Sequence, residues 1–405
     1  MRSASDGESR LLFWRRVREF AVPPSMIESV TARRRVGDWA AACAAARVDV
    51  DLSLRAVARV HGGEIAALVR ADLRHLAPDL LRWHLPRIAP DGLLRPGLTI
   101  SLSRYAGSKV QLVARTPPGW ADGGQRFSLA VWDGAGAEPH PDRRFRLDLH
   151  RHLWDARRSP ELRDRSAGCW PAEARILLGG DGVFVVRAGA RRRVTLELSA
   201  GGIRRVPDSA ARVPMLPDAA TWVAPDRALL RAGLMSPDLL HPLVAAALAP
   251  DHVRKPAAAG TSGPRPVRCR GAEHRIGLVG GVLAPLDHSA DEIRREELLV
   301  ALSGTPLPCL QAIDAAHRSP ESLVDVRARL DHGDAAGALA VVEDLLGPDA
   351  LLRSGALHDE LETAAQRRVA YGLFRSGLAG VGLKTPARAR RPRNMRSHPR
   401  HTMAR

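Results

Sequence analysis

Residues 98–134 read LTISLSRYAGSKVQLVARTPPGWADGGQRFSLAVWDG, and their period decides the fold class. LTISLSRY, KVQLVART and RFSLAVWDG alternate or run apolar over strand lengths, with Gly, Pro and Asp between them. That is the pattern of β-strands joined by turns. In RFSLAVW, Phe127, Leu129 and Val131 share one face. Downstream, RFRLDLHRHLW continues the alternation: Phe145, Leu147, Leu149 and Leu153 on one side, Arg146, Asp148, His150 and His152 on the other. VFVVRAGARRRVTLELS reads as a hairpin across Gly189. The segment 96–205 is therefore expected to be an antiparallel β unit, with one sheet face to a core and one to water.

The chain on either side has a helical period. Over residues 9–95, Leu11, Leu12, Trp14, Val17 and Phe20 recur at helical spacing. Pro23-Pro24 opens a new segment, and Gly37-Asp38 breaks it, with Asp38 placed to cap WAAACAAA. Residues 1–95 are thus expected to form a helical unit. Residues 206–250 form a Pro-punctuated helical connector, with Ser236-Pro237 as a helix start. Residues 251–266, DHVRKPAAAGTSGPRP, read as a linker. Residues 267–383 begin with short strands around Gly271 and Gly280-Gly281. A capping box of Ser289 and Glu292 and a run of helices follow. The class is α+β, segregated, with a small β-hairpin in a mostly helical C-terminal unit.

The chain has 405 residues, too many for one ordinary core, and its 45% apolar content is enough to bury more than one. No run approaches the ~18 apolar residues of a membrane-spanning helix, and no secretory leader is expected at the start. The four cysteines, Cys43, Cys169, Cys269 and Cys309, lie far apart with no C-x-x-C. That argues against a disulfide scaffold and a cysteine-based zinc site, and fits a reducing cytoplasm. The formal net charge is +17, yet only Lys109, Lys255 and Lys384 are lysines. Arginine abundance beside Ala, Gly and Pro is the mark of a GC-rich genome, so charge alone does not point to nucleic acid. Lys384, Arg388, Arg390, Arg391, Arg393, Arg396, Arg400 and Arg405 concentrate positive charge in 384–405, expected to be a disordered tail. It reads either as a solvated extension or as a segment that neutralises phosphates.

Standard chemistries are missing from the sequence. There is no P-loop, no G-x-G-x-x-G after a strand, no H-E-x-x-H, no G-x-S-x-G and no kinase signature set. Gly277, Gly280 and Gly281 fit a hairpin turn better than a nucleotide loop. Cys309 has no acid–base partner nearby in sequence and reads as a buried thiol. The best constellation is DRRFRLDLHRHLWD (142–155). On a strand, Asp148, His150 and His152 would point one way and could hold zinc or iron with a further ligand. Alternatively Arg143, Arg144 and Arg146 grip an anion or nucleic acid, or the whole face is merely solvated. Arg82, Trp83 and His84 could stack on a base or line a pocket, but Trp83 fits better at the junction of the helical and β units. His61 and His332 read as surface or cap residues. No cofactor is assigned.

Two stretches, ARRRVGDWAAACAAA (32–46) and RARLDHGDAAGALAVVE (327–343), share a plan: a basic helix ends at Gly37 or Gly333, and Asp38 or Asp334 caps an Ala-rich second helix. This resembles the hinge of tetratricopeptide-type helical hairpins, without their tandem period. FAVPPSMIE, TARRRVGDW and LDHGDAAGALA resemble an uncharacterised family of GC-rich actinobacterial proteins. That resemblance implies a bacterial cytoplasmic origin and no activity. Three functions stay open at this point. One is a non-enzymatic cytoplasmic interaction or regulatory protein that docks a protein partner through helical-hairpin surfaces and the sheet face. The second is a nucleic-acid-associated protein using the arginine-rich tail. The third is an enzyme with a metal or anion site at Asp148, His150 and His152. No membrane association is expected.

Overall fold

The computed structural model describes residues 2–135, 139–165, 169–187, 192–207, 213–221, 224–253, 263–304 and 306–378. The class is α+β, with several small sheets among many helices. Two compact units divide the chain, one within residues 1–255 and one within residues 256–386. The division falls inside the Pro- and Gly-rich segment 251–266, of which 254–262 lie outside the described residues.

The first unit opens with α1 (Arg2–Phe20), α2 (Pro24–Arg35) and α3 (Trp39–Ala45). Pro24 takes the first position of α2, where its missing N–H has no intrahelical partner to lose. Gly37, at φ 75°, ends the turn, and Asp38 accepts the Ala41 N–H at 2.9 Å to cap α3. Next come β1 (Val48–Asp51), α4 (Leu54–His61), α5 (Gly63–His75) and α6 (Pro78–His84). A two-stranded ladder, β2 (Arg87–Ile88) and β3 (Leu93–Leu94), leads to β4 (Thr99–Arg104), β5 (Gln111–Arg115) and β6 (Phe127–Trp132). The sheet order is β1-β6-β5-β4. The last three strands are antiparallel, as their period predicts, and β1 adds a parallel edge with Val48 opposite Phe127. β1 lies within residues expected to be helical; four residues, VDVD, are too few for their period to register.

This sheet is buried on both faces, not on one. Ile100, Leu102, Leu112, Ala114, Phe127 and Leu129 enter the main core, while Val113, Ala130 and Trp132 form a small cluster of their own. The larger departure is at 142–155. No strand forms there; reverse turns and a 3₁₀ turn at Arg151–Leu153 replace it. Successive bonds reach back three residues, from Phe145 to Asp142, His150 to Leu147 and Leu153 to His150. The segment meets β4 at the isolated Ser101–Arg146 bridge and through separate bonds, from the Asp142 N–H to the Thr99 carbonyl at 2.8 Å and from Arg151 to the Ser103 hydroxyl at 3.1 Å, with no continuous ladder. A two-residue alternation survives such turns when the charged members pair locally, as Arg146 and Asp148 do at 2.5 Å.

The unit continues through α7 (Leu162–Arg165), α8 (Trp170–Leu178), β7 (Gly182–Arg187), β8 (Arg193–Ser199) and β9 (Gly202–Arg205). β7 and β8 form the expected hairpin, β9 extends it, and Ala174, Phe184, Leu196 and Leu216 build a small core against it. α9 (Asp218–Thr221), α10 (Pro225–Arg231) and α11 (Pro242–Leu248) follow. The helix expected from Ser236 is broken. Ser236 caps only a 3₁₀ turn, Pro237–Leu239. Pro242 then holds His241 out of the helical region (ψ 133°), and α11 restarts with His241 as its cap. One hydrophobic core runs from Trp14 to Ala247 and draws on all three segments 1–95, 96–205 and 206–250.

The axis of that core is α6, whose seven residues are all buried. Arg82 donates to three backbone carbonyls: Ala46 at 2.8 Å, Gln125 at 2.8 Å and Arg47 at 3.2 Å. Arg18 of α1 forks onto Asp226 of α10 at 2.7 and 2.9 Å, donates to the Trp83 carbonyl, and lies 4.5 Å from the Trp83 ring centre. Trp83 Nε1 donates to the same Asp226 at 3.1 Å. His241 Nε2 lies 3.0 Å from Asp79 Oδ2.

The second unit contains β10 (Arg265–Cys269), β11 (Ala272–Val279), β12 (Val282–Pro285), α12 (Ala290–Ser303), α13 (Pro308–Arg318), α14 (Leu323–Asp331), α15 (Ala335–Leu346) and α16 (Ala356–Arg375). Its strands form one antiparallel sheet joined by two-residue turns, Arg270-Gly271 and Gly280-Gly281, all four residues at positive φ. The Ser289–Glu292 capping box forms as expected. Asp334 caps α15 after Gly333, repeating the device at Gly37-Asp38. Gly347 must lack a side chain: a Cβ there would stand 2.0 Å from the Gly281 carbonyl oxygen, which seats the hairpin tip on the end of α15.

Removing one member of a buried ion pair strands the other. Asp226→Ala is expected to lower stability by about 3–5 kcal/mol in urea denaturation. The double variant Arg18→Met/Asp226→Leu, which removes both charges, should lose less than Asp226→Ala alone.

Candidate functional site

The histidines of 142–155 do not face water. His150 and His152 are both buried, with ring centres 5.8 Å apart. His150 Nε2 lies 3.0 Å from Glu173 Oε2, and its Nδ1 lies 3.2 Å from the Arg146 carbonyl. His152 Nδ1 is 3.3 Å from an Arg165 nitrogen, and Arg165 forks onto Glu173 at 2.9 and 2.6 Å. Burial raises the Glu173 carboxyl, but His150 and Arg165 outweigh it and hold it at about 2. Asp148 is occupied by Arg146. Asp148, His150 and His152 therefore do not converge as a metal site: each is tied to a separate neighbour.

The arginine cluster is likewise spent internally. Arg144 and Arg187 both grip Asp218, at 2.7 and 3.1 Å, and Arg146 grips Asp148. Arg143 is exposed. Arg388, Arg390, Arg391, Arg393 and Arg396 lie outside the described residues. Arg82 and Trp83 are core residues and not a stacking platform. His84 is buried, and neither ring nitrogen has a hydrogen-bond partner among the described residues. Burial, then Arg18 and His241, push its pKa well below the ordinary 6.5. Of the two histidines expected at the surface or at a cap, His332 is the C-cap of α14 and is buried there, and His61, the last residue of α4, lies 3.4 Å from Asp133.

The C-terminal unit gathers a cluster that sequence reasoning set aside. One donor atom each from Cys269, His274, His288 and Cys309 lies within 4.8 Å of all the others. Cys269 ends β10, and the Arg270-Gly271 turn returns the chain so that Cys269 faces Ala272 and Val267 faces His274. Residues two apart on a strand share a face, so Cys269 and His274 are diagonal neighbours on one side of the hairpin. Asp287 accepts the Arg275 N–H at 2.7 Å and pairs with its guanidinium at 2.7 Å. That fold-back carries the next residue, His288, to His274, with Nδ1 and Nε2 2.8 Å apart. Pro308 starts α13, and Cys309 follows it, fully buried beside Cys269. Burial and the neighbouring Cys269 push the Cys309 thiol up to about 11. The expectation that the cysteines are too dispersed for a shared site fails here. The signal was not C-x-x-C but a Cys and a His flanking a Gly turn, which defines a hairpin. A second group, His358, Asp359 and Glu362, is exposed on the surface of α16.

No family model, curated protein or solved structure matches the chain. No described helix is long and apolar enough to cross a membrane.

The buried histidines imply a sign for acid sensitivity. His84 and His152 are held below 6.5, chiefly by burial, with Arg18 and His241 acting on His84 and Arg165 and His150 on His152. The unfolded chain takes up protons near the ordinary value of about 6.5 that these folded groups refuse. Their contribution is therefore complete above about 6.5 and lost as the pH falls below it. Glu173 acts in a lower window, its contribution lost as pH falls from about 4.5 towards about 2. His84→Leu should flatten the fall of urea stability below about pH 6.5 by up to one proton, or about 1.4 kcal/mol per pH unit.

Proposed function

We propose that the protein is a non-enzymatic interaction protein that docks a protein partner on its C-terminal unit, with α12 at the centre of the docking surface. The observation that supports this reading is the outward face of α12. Ile293, Glu296 and Val300 turn inward at helical spacing. Leu298, Leu299 and Leu302 instead stand 64%, 48% and 86% exposed. A single exposed leucine carries no message. Three on one helix face, at i, i+1 and i+4, form the kind of stripe that enters a partner's apolar groove. Exposed Arg294, Arg295 and Glu297 supply a polar rim.

α12 suits this role better than the surfaces named by the sequence. The four-stranded sheet has both faces buried, and the α14–α15 hairpin spends Val326, Leu330, Ala338 and Val342 on its own core. Catalysis finds less support. Arg146, Asp148, His150, Arg151 and His152 pair with each other or with buried neighbours, as structural groups do. A nucleic-acid reading rests on Arg143 and on the tail beyond the described residues.

A photo-cross-linking residue placed at Leu298 in the full chain should trap one discrete protein adduct in native lysate, insensitive to nuclease. The same probe at exposed Arg143 should trap none. Leu302→Asp should abolish the Leu298 adduct with the melting temperature unchanged. An adduct indifferent to Leu302→Asp, or equal trapping from both positions, would sink the proposal.

A further inference from the structure

We infer that Cys269, His274, His288 and Cys309 bind one zinc ion as a closed, structural site of the C-terminal unit. The inference is independent of what α12 docks. Two thiolates and two imidazoles are the donor set that tetrahedral zinc takes in structural sites. No carboxylate is among the four, which disfavours the oxygen-seeking calcium and magnesium ions. Ideal tetrahedral zinc, with bonds of about 2.0–2.3 Å, spaces its donors about 3.3–3.8 Å apart, inside the 4.8 Å that contains this set. The two imidazole nitrogens already face one another at 2.8 Å. Separating them by about half an ångström turns that contact into two lone pairs aimed at one ion.

The surroundings are those of a structural centre. Both cysteines are fully buried in the apolar cluster with Ile276, Leu283 and Ile313, while the histidines lie half-buried at the mouth. All four positions come from the protein, so no coordination site is left for substrate water, which is what separates structural from catalytic zinc. The ligands are fixed by backbone devices: a positive-φ turn after Cys269, the Arg275–Asp287 fold-back before His288, the capping box after it, and Pro308 before Cys309. The ion would tie β10, β11, the loop after β12 and the start of α13 to one point.

The test uses the full chain, purified without chelator from zinc-supplemented cells. Elemental analysis should find one zinc per chain. Cys309→Ser and His288→Ala should each reduce this to under a tenth, and His358→Ala, in the exposed group on α16, should leave it unchanged. A ligand variant can also lose metal by unfolding, so the wild-type chain is stripped and titrated with cobalt(II). The expected spectrum has the strong visible bands of tetrahedral cobalt and a thiolate charge-transfer band, both removed by an equivalent of zinc. Three results would overturn the inference: zinc content that follows His358 instead of His288, a cobalt spectrum of octahedral form without the thiolate band, or a folded wild-type chain that takes up neither metal.

Discussion

A short helix carrying Asp79, Arg82, Trp83 and His84 into the core sets the terms for the N-terminal unit. Each polar group on α6 is costly to bury unless a partner meets it, and each partner comes from a different part of the chain. Arg82 holds the turn after α3 and the loop before β6 through their carbonyls. The Trp83 carbonyl and indole N–H fix α1 and α10 through Arg18 and Asp226. Asp79 meets the cap of α11. The gain in stability from such buried pairs is modest, because desolvation offsets most of the attraction. Their effect is specificity: other arrangements of these helices would leave a buried arginine or aspartate unpaired. In this arrangement the two charges on α6, Asp79 and Arg82, meet partners from distant parts of the chain, whereas neither ring nitrogen of His84 does among the described residues.

The same economy explains why a net charge of +17 misleads. Arginine offers five N–H donors in a rigid fork. Buried or half-buried arginines here spend them on carboxylates, carbonyls and a hydroxyl: Arg82 on three carbonyls, Arg144 and Arg187 on one aspartate, Arg151 on Asp72 and the Ser103 hydroxyl, and Arg165 on Glu173 and the Leu149 carbonyl. A chain almost without lysine uses arginine as interior cross-bracing, so its formal charge overstates the basic surface it can offer to an anion.

How much of this is legible in sequence follows the range of the interaction. Local devices read correctly: the Asp38 and Asp334 caps, the Ser289 box, the Gly280-Gly281 turn and the strand period of β4, β5 and β6. Each is decided within a few residues. The failures are those where a distant partner decides. RFRLDLHRHLW has a faultless strand alternation, but a strand needs a neighbour paired along its length, and β4 offers this segment one isolated bridge and scattered bonds instead of a ladder. Its histidines look solvent-facing until Glu173 and Arg165 arrive from α8 and α7 to bury them. VDVD becomes a strand only because β6 presents an open edge to it.

The cysteine–histidine cluster belongs between these cases, and that position explains how it escapes a motif search. Half of it is local: Cys269 and His274 flank a Gly turn, and a hairpin puts them on one face whatever else the chain does. The other half depends on the path of β12, α12 and the start of α13, which brings His288 and Cys309 back across the sheet. Spacing rules of the C-x-x-C kind work when both ligands of a pair sit on one knuckle. Here each thiol pairs with a ligand from another element, so the sequence spacing is free and the geometry is carried by the Arg275–Asp287 fold-back and Pro308. A site assembled this way would close the stretch from Cys269 to Cys309 through β11, β12 and α12, and the constraint on the unfolded chain grows with the length closed.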